Sequence, residues 1–225
     1  MIPQEIDKKG LLVKPSQYLK DKSQLPPHIT FEEYKRLRLA IPNYWTKKKR
    51  FSKRYQMIVK RDVLLIDYMF ECGGRIIDIV NITFNDYEKN ILQLYTRKRK
   101  KTIGIDISNE LIADTNIFMR KYNINDDERI FNITGVRAWQ IIKQYATEID
   151  FPCVKKIWKN GKVVNSTLHP HLFRHGMCIH LLNNNVPIVV ISARVGHANV
   201  KITQDMYLKV TPHLQHIHVK DVTWR

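Results

Sequence analysis

The 225-residue sequence predicts a mainly helical fold with a minor β component. Two observations carry that expectation. Apolar residues recur at helical spacing over 55–70, 108–122 and 134–148, while strict apolar–polar alternation is confined to 91–95 and 102–107. The length suits one ordinary domain with a sizeable core and an appendage, not two full domains.

In chain order, residues 1–28 are polar, rich in Lys and Pro, and end in Leu25-Pro-Pro-His28, which reads as a tail or linker. Thr30-Phe-Glu-Glu33 forms a capping box that opens a helix to about Ile41. The basic bridge TKKKRFSKR, 46–54, leads into a helix over 55–70, with Ile58, Leu65, Ile66 and Met69 as its apolar stripe. Gly73-Gly74 stops that helix, and a short apolar one begins right after Arg75. Two glycines let the backbone turn tightly and set Arg75 at a helix start, beside free amides that favour an anion. The strands at 91–95 and 102–107 flank RKRKK and form a hairpin with a basic tip. Helices follow at 108–122, capped by Ser108, and at 134–148, capped by Thr134. Asn160-Gly161, between apolar-basic segments within 155–164, predicts a small type I′ hairpin.

Charge narrows the partners. Thirty-eight Lys and Arg against 21 Asp and Glu give +17, which suits a phosphate-rich partner, nucleic acid ahead of a membrane surface. No run approaches the roughly 18 apolar residues of a membrane span, and MIPQEIDKKG lacks the apolar centre of a signal peptide. The expected location is the cytoplasm. Cys72, Cys153 and Cys178 are isolated and without C-x-x-C spacing, which marks reduced core thiols rather than a disulfide frame or zinc site.

The densest chemistry lies between 171 and 207. His171 and Arg174, three apart at a helix start, share a face and can address one oxyanion. Val195-Gly-His197 follows in a turn between two helical patterns, and Tyr207 stands ten residues later on a short helix with Thr203 and Met206. Taken singly, each has a plainer reading. A tyrosine near a chain end usually packs, an arginine after Gly-Gly usually lies on the surface, and a basic hairpin tip is usually a solvated face. His171 and His175 have the spacing of a zinc pair, but the Glu of H-E-x-x-H is missing and no further ligand is near. His169, His180, His213, His216 and His218 read as structural or solvated.

Order and spacing together say more. Gly73-Gly74-Arg75-Ile-Ile-Asp78, the basic hairpin, His171-Leu-Phe-Arg174-His175, Val195-Gly-His197 and Tyr207 resemble the catalytic core of the tyrosine recombinases, the phage-integrase and Xer family. The likeness runs from 30 to 210, about four-fifths of the chain. It implies a mixed α/β, mainly helical catalytic domain over 29–210 with a small antiparallel β-sheet at one edge, and Glu128-Arg-Ile-Phe131 resembles a short connection of that family. It also implies strand exchange between specific double-stranded DNA sites through a 3′-phosphotyrosine, with no metal or other cofactor.

The resemblance assigns roles. Arg75 and Arg174 would clamp the phosphate, His171 would exchange the phenol proton, His197 would donate a hydrogen bond, Lys98 would protonate the 5′ oxygen and Tyr207 would attack. Lys100 and Arg97 rival Lys98, because one sequence does not fix the turn register. The implied partners are DNA and three further copies of the chain, with an accessory protein as another candidate; 208–225, and at least 211–225, would be the segment exchanged between subunits. Two positions depart from the pattern, Gly74 for a larger apolar residue and Val195 for Leu. Too few residues precede Thr30 for the family's DNA-clamping domain, so the expectation is a minimal recombinase, a fragment or a chain that needs a partner. A type IB topoisomerase and a non-catalytic DNA-binding relative are the alternatives, and the full set of reactive residue types argues against the second.

Overall fold

A computed structural model describes residues 27–151, 155–159, 162–166, 168–197, 200–201 and 203. Helix α1 (Phe31–Lys47) opens on its capping box: Thr30 Oγ1 accepts from the Glu33 amide at 3.1 Å, and Glu33 Oε2 accepts from the Thr30 amide at 2.9 Å. It continues past Ile41 with Pro42 inside it. Proline removes one main-chain donor, but the turn beyond is held by α5 (Gly135–Glu148). The Tyr44 and Tyr145 rings meet edge-on at 5.7 Å, and Trp45 Nε1 donates to the Tyr145 hydroxyl at 2.7 Å. Tertiary packing overrides the breaker.

Helix α2 (Lys53–Cys72) is the central element, packed by α1, α5 and the elements described next. Residues 64–70 and Cys72 are buried, whereas Ile58, first in the expected stripe, is only half-buried. Two carboxylates go into the interior with them, and each is paired, as burial of charge requires. Asp62 meets Arg61 at 2.7 Å and accepts from the Tyr145 hydroxyl at 2.8 Å. Asp67 accepts from the Tyr34 hydroxyl at 2.7 Å and from Arg38 Nε at 3.0 Å.

After Arg75 comes the single turn α3 (Ile76–Ile79), then an antiparallel sheet in the order β1 (Tyr87–Glu88), β2 (Ile91–Thr96), β3 (Lys101–Asp106). The β2–β3 register runs from Ile91 opposite Asp106 to Thr96 opposite Lys101, leaving 97–100 as the basic tip. Strand β1 has no counterpart in the sequence reading. Its link to β2 is a two-residue turn, Lys89-Asn90, with both φ values positive, and no glycine there advertises it. Helix α4 (Asn109–Tyr122) is capped by Ser108, which also donates from its amide and hydroxyl to Glu71, fixing α4 to the end of α2. Strands β4 (Lys155–Lys159) and β5 (Lys162–Ser166) pair as the expected second hairpin, whose Asn160-Gly161 turn lies outside the described residues.

Helix α6 (Pro170–Asn183) starts with proline at its first position, where the missing amide costs nothing, and buries Leu172, Phe173 and residues 176–179. Met177, Cys178 and Ile179 join Ile191 and Val195 in a small second cluster under α7 (Ile188–Arg194), beside the main core around α2. Cys72 and Cys178 are buried, while Cys153 lies outside the described residues. No helix among the described residues is long and apolar enough to cross a membrane.

The buried chain Trp45–Tyr145–Asp62 has a measurable consequence. Tyr145→Phe leaves an indole donor and a carboxylate oxygen without their partner, so urea unfolding is expected to show a loss of about 1–3 kcal/mol. Tyr95→Phe, at a side chain 52% exposed, should stay within about 0.5 kcal/mol. Equal losses at the two positions would contradict the network.

Candidate active site

The site forms where the end of α2, the start of α3, the β2–β3 turn, the first half of α6 and the turn after α7 meet. Helix α2 ends on Gly73 in the left-handed region (φ 58°), where an added Cβ would stand 2.1 Å from Met177 Cε. That close approach lets Arg174, three-quarters of a turn back along α6, reach the end of α2. Arg174 is 7% exposed; its Nη1 donates to the Gly73 carbonyl at 2.9 Å and its Nη2 to the Val195 carbonyl. One arginine thus joins the two turns that carry Arg75 and His197.

Arg75 is the residue capping α3, half-exposed; its carbonyl accepts the Asp78 amide at 2.8 Å and the Ile79 amide at 3.0 Å, while its side chain makes no capping hydrogen bond. Asp78, one turn on, is buried; its Oδ1 accepts the Arg97 amide at 3.1 Å and so fixes the start of the β2–β3 turn, while Oδ2 has no hydrogen-bond partner among the described residues. Within that turn Arg97, Lys98 and Lys100 are exposed and Arg99 is half-buried, its Nη1 donating to the Gly196 carbonyl. Gly196 is the second left-handed glycine (φ 64°), and a Cβ there would lie 2.2 Å from Ile103 Cδ1 on β3. His197 follows, its amide bonded to the Ser192 carbonyl at 3.0 Å and its Nδ1 paired at 2.8 Å with the hydroxyl of Thr203, which is fully buried.

The electrostatics show which groups converge. Burial lowers the His171 pKa below its usual value, and the charges of Arg174, Arg75 and Lys98 lower it further. His197 is pushed down to about 4 by burial, then by Arg174, Arg99 and Arg75. Arg75 and Arg174 therefore act on both imidazoles, Lys98 on one and Arg99 on the other. The structure brings together Arg75, Lys98, His171, Arg174 and His197; Tyr207 lies outside the described residues. Between Lys98 and its rivals, the charge of Lys98 is the one that bears on His171, and those of Lys100 and Arg97 do not.

Sequence reasoning missed three contributors: Arg99, the Asp78 contact to the turn, and Thr203 as the partner of His197. None has a signal of its own in sequence, because each depends on a contact between distant segments. His175 is half-buried and pushed down to about 4 by burial and then by His171, Arg174, His28 and His169. Its ring lies 6.3 Å from that of His171, and no group of three metal-ligating side chains occurs among the described residues.

Residues 29–213 match the phage integrase family. The tyrosine recombinase XerA of Pyrococcus horikoshii is 27% identical over 161 residues, which is 67% of this chain and 51% of that protein. XerA of Thermococcus onnurineus is 26% identical over 83% of this chain and 59% of its own length, so the chain spans half to three-fifths of these relatives. Among solved structures, an XerA recombinase superposes with a TM-score of 0.62 at 16% identity, covering 86% of this chain and 65% of that one. The catalytic domain of bacteriophage HP1 integrase gives 0.55 at 16% identity, covering 84% of this chain and 92% of that domain. Both show the shared mixed α/β, mainly helical fold.

The depressed histidines set a direction for acid sensitivity. His175 and His197 stay neutral in the folded protein down to about 4, whereas in the unfolded chain they take up protons near 6.5. The unfolded state therefore binds more protons between these values, and stability falls as pH drops from about 6.5 towards 4. Urea midpoints measured at pH 7 and pH 5 should differ in that direction, and His175→Gln should flatten the slope.

Proposed function

The chain belongs to the phage integrase family, and from that membership we propose that it cuts and rejoins DNA strands at specific sites through a 3′-phosphotyrosine intermediate formed by Tyr207. One observation carries the chemistry: two arginines, a lysine and two imidazoles held neutral surround one space, and Arg75 and Lys98 form no ion pair among the described residues. A phosphodiester supplies the anion that such a space lacks. The planar guanidinium forks of Arg75 and Arg174 fit two phosphate oxygens. His171, neutral at pH 7, accepts the phenol proton as Tyr207 attacks phosphorus and the bond to the 5′ oxygen breaks. Lys98 delivers a proton to that leaving oxygen.

His197 has a separate part. When its Nδ1 accepts from the Thr203 hydroxyl, the hydrogen of the neutral ring sits on Nε2, which is then a donor for the phosphate. Religation reverses the sequence: the 5′ hydroxyl of another strand attacks the phosphotyrosine and the phenol recovers its proton. No metal is needed in this scheme, since cationic side chains stand where a metallonuclease would have clustered carboxylates.

The relatives named as recombinases favour this reading over a topoisomerase. Structures of XerH bound to its difH substrate, before and after cleavage, share the fold and support DNA as the partner. Within the proposal, 29–210 is the catalytic domain, 1–28 a linker, and 211–225 the segment exchanged between four subunits on paired DNA sites, in the cytoplasm.

A covalent-adduct assay on a nicked suicide DNA substrate tests the proposal. The protein should form a 3′-linked adduct in excess EDTA, and Tyr207→Phe should form none while binding DNA normally. Arg174→Lys should lose about 100-fold or more in cleavage rate, because a point charge cannot replace the fork at a developing oxyanion. An adduct retained in Tyr207→Phe, or activity that returns only with added Mg²⁺, would overturn it.

A further inference from the structure

Lys98 is exposed at the tip of a turn with four consecutive cations, Arg97, Lys98, Arg99 and Lys100, followed by Lys101. Mutual repulsion and the rotamer freedom of a long side chain both work against a fixed ammonium there. Yet its charge registers at His171, on a different element. Something must hold the turn against the rest of the site.

Two contacts do so, one on each side of Lys98. On one side the Arg97 amide is bonded to Asp78 on α3 at 3.1 Å. On the other, the Arg99 guanidinium leaves the turn, is half-buried, and donates to the Gly196 carbonyl, next to His197. A second, independent contact supports the same junction: Gly196 lacks a Cβ where Ile103 of the hairpin presses on it, since an added Cβ would lie 2.2 Å from Ile103 Cδ1. The hairpin and the histidine turn are therefore packed as one unit.

We propose that Arg99 is a positioning residue that clasps the Lys98 turn to the Gly196–His197 turn, holding the proton donor over the phosphate site before DNA arrives. This rests on the reading of Lys98 as general acid. The target of the clasp is a main-chain carbonyl rather than a carboxylate, so the guanidinium keeps its charge and adds to the field on His197. Replacing Arg99 frees the turn, moves the ammonium away from the leaving oxygen, and leaves the two-arginine clamp on the phosphate in place.

Two measurements on the full chain test the clasp. The first compares single-turnover cleavage of ordinary suicide DNA with that of the same DNA bearing a 5′-bridging sulfur, whose thiolate leaves without a proton. Arg99→Ala should lose about 10- to 100-fold on ordinary DNA and less than about 3-fold on the sulfur substrate, and Lys100→Ala, which removes the same charge from the same turn, less than about 3-fold on both. Equal losses on the two substrates, or equal effects of Arg99→Ala and Lys100→Ala, would overturn the assignment. The second needs no chemistry: amide hydrogen exchange of the free protein should quicken about 10-fold at Arg97, Gly196 and His197 in Arg99→Ala, and unchanged exchange refutes the clasp. Should the unaltered chain form no adduct on either substrate, the functional reading fails, and hydrogen exchange still decides whether Arg99 holds the two turns together.

Discussion

Arginine side chains that end on main-chain carbonyls hold this site together. Arg174 donates to Gly73 and Val195, Arg99 to Gly196, and Arg194 to Glu71 at 2.9 Å and Asp106 at 2.6 Å. The carbonyls belong to the end of α2, the turn after α7 and the end of β3, where helix termini leave acceptors unused and carry partial negative charge. A carboxylate would have held an arginine as firmly but cancelled its charge. Carbonyls fix the geometry and leave the field, and the rest of the arrangement follows from that choice.

The first consequence concerns the imidazoles. Burial and the neighbouring guanidinium charges together make a protonated histidine unfavourable, so His197 is held near 4 and His171 below its usual value. Neutral rings are what the proposed chemistry needs, a base for the phenol and a donor fixed by Thr203. The second consequence is that the site is poised for an anion. Under the proposed function, a phosphodiester bound between Arg75 and Arg174 would relieve repulsion among these cations. The core tolerates this because α2 is fastened elsewhere by fully paired charges, Asp62 with Arg61 and Asp67 with Arg38.

Helix starts were legible in the sequence because a cap is a local event: Thr30, Ser108 and Thr134 each accept from the amide three residues on. The β2–β3 hairpin was legible through alternation, and the second hairpin through Asn160-Gly161. What escaped depends on contacts across the chain. Helix α1 passes Pro42 because Tyr44 and Trp45 have partners on α5, about a hundred residues away in sequence. Strand β1 escaped because Lys89-Asn90 takes two positive φ values without a glycine. The site residues could be named from order and spacing, but spacing carries no information about which cation of 97–100 turns inward. That is decided by the β2–β3 register and by the packing of Ile103 on Gly196.

The same packing bears on the two departures from the family pattern. A Cβ at Gly74 would stand 2.8 Å from Ile79 Cδ1 and 2.9 Å from Leu94 Cδ2, so α3 and β2 lie closer to this turn than a larger side chain permits. The same turn leads into α3 and its buried Asp78, whose Oδ1 anchors the Lys98 turn. Val195, 3% exposed, offers its side chain to Ile191 and Met177 and its carbonyl to Arg174. The β-branched residue suits that double task, because restricted rotamers hold a short side chain in the cluster while the main chain stays within reach of the guanidinium. Both departures thus fall where side-chain volume sets how closely neighbouring elements pack on the turns that carry Arg75 and His197.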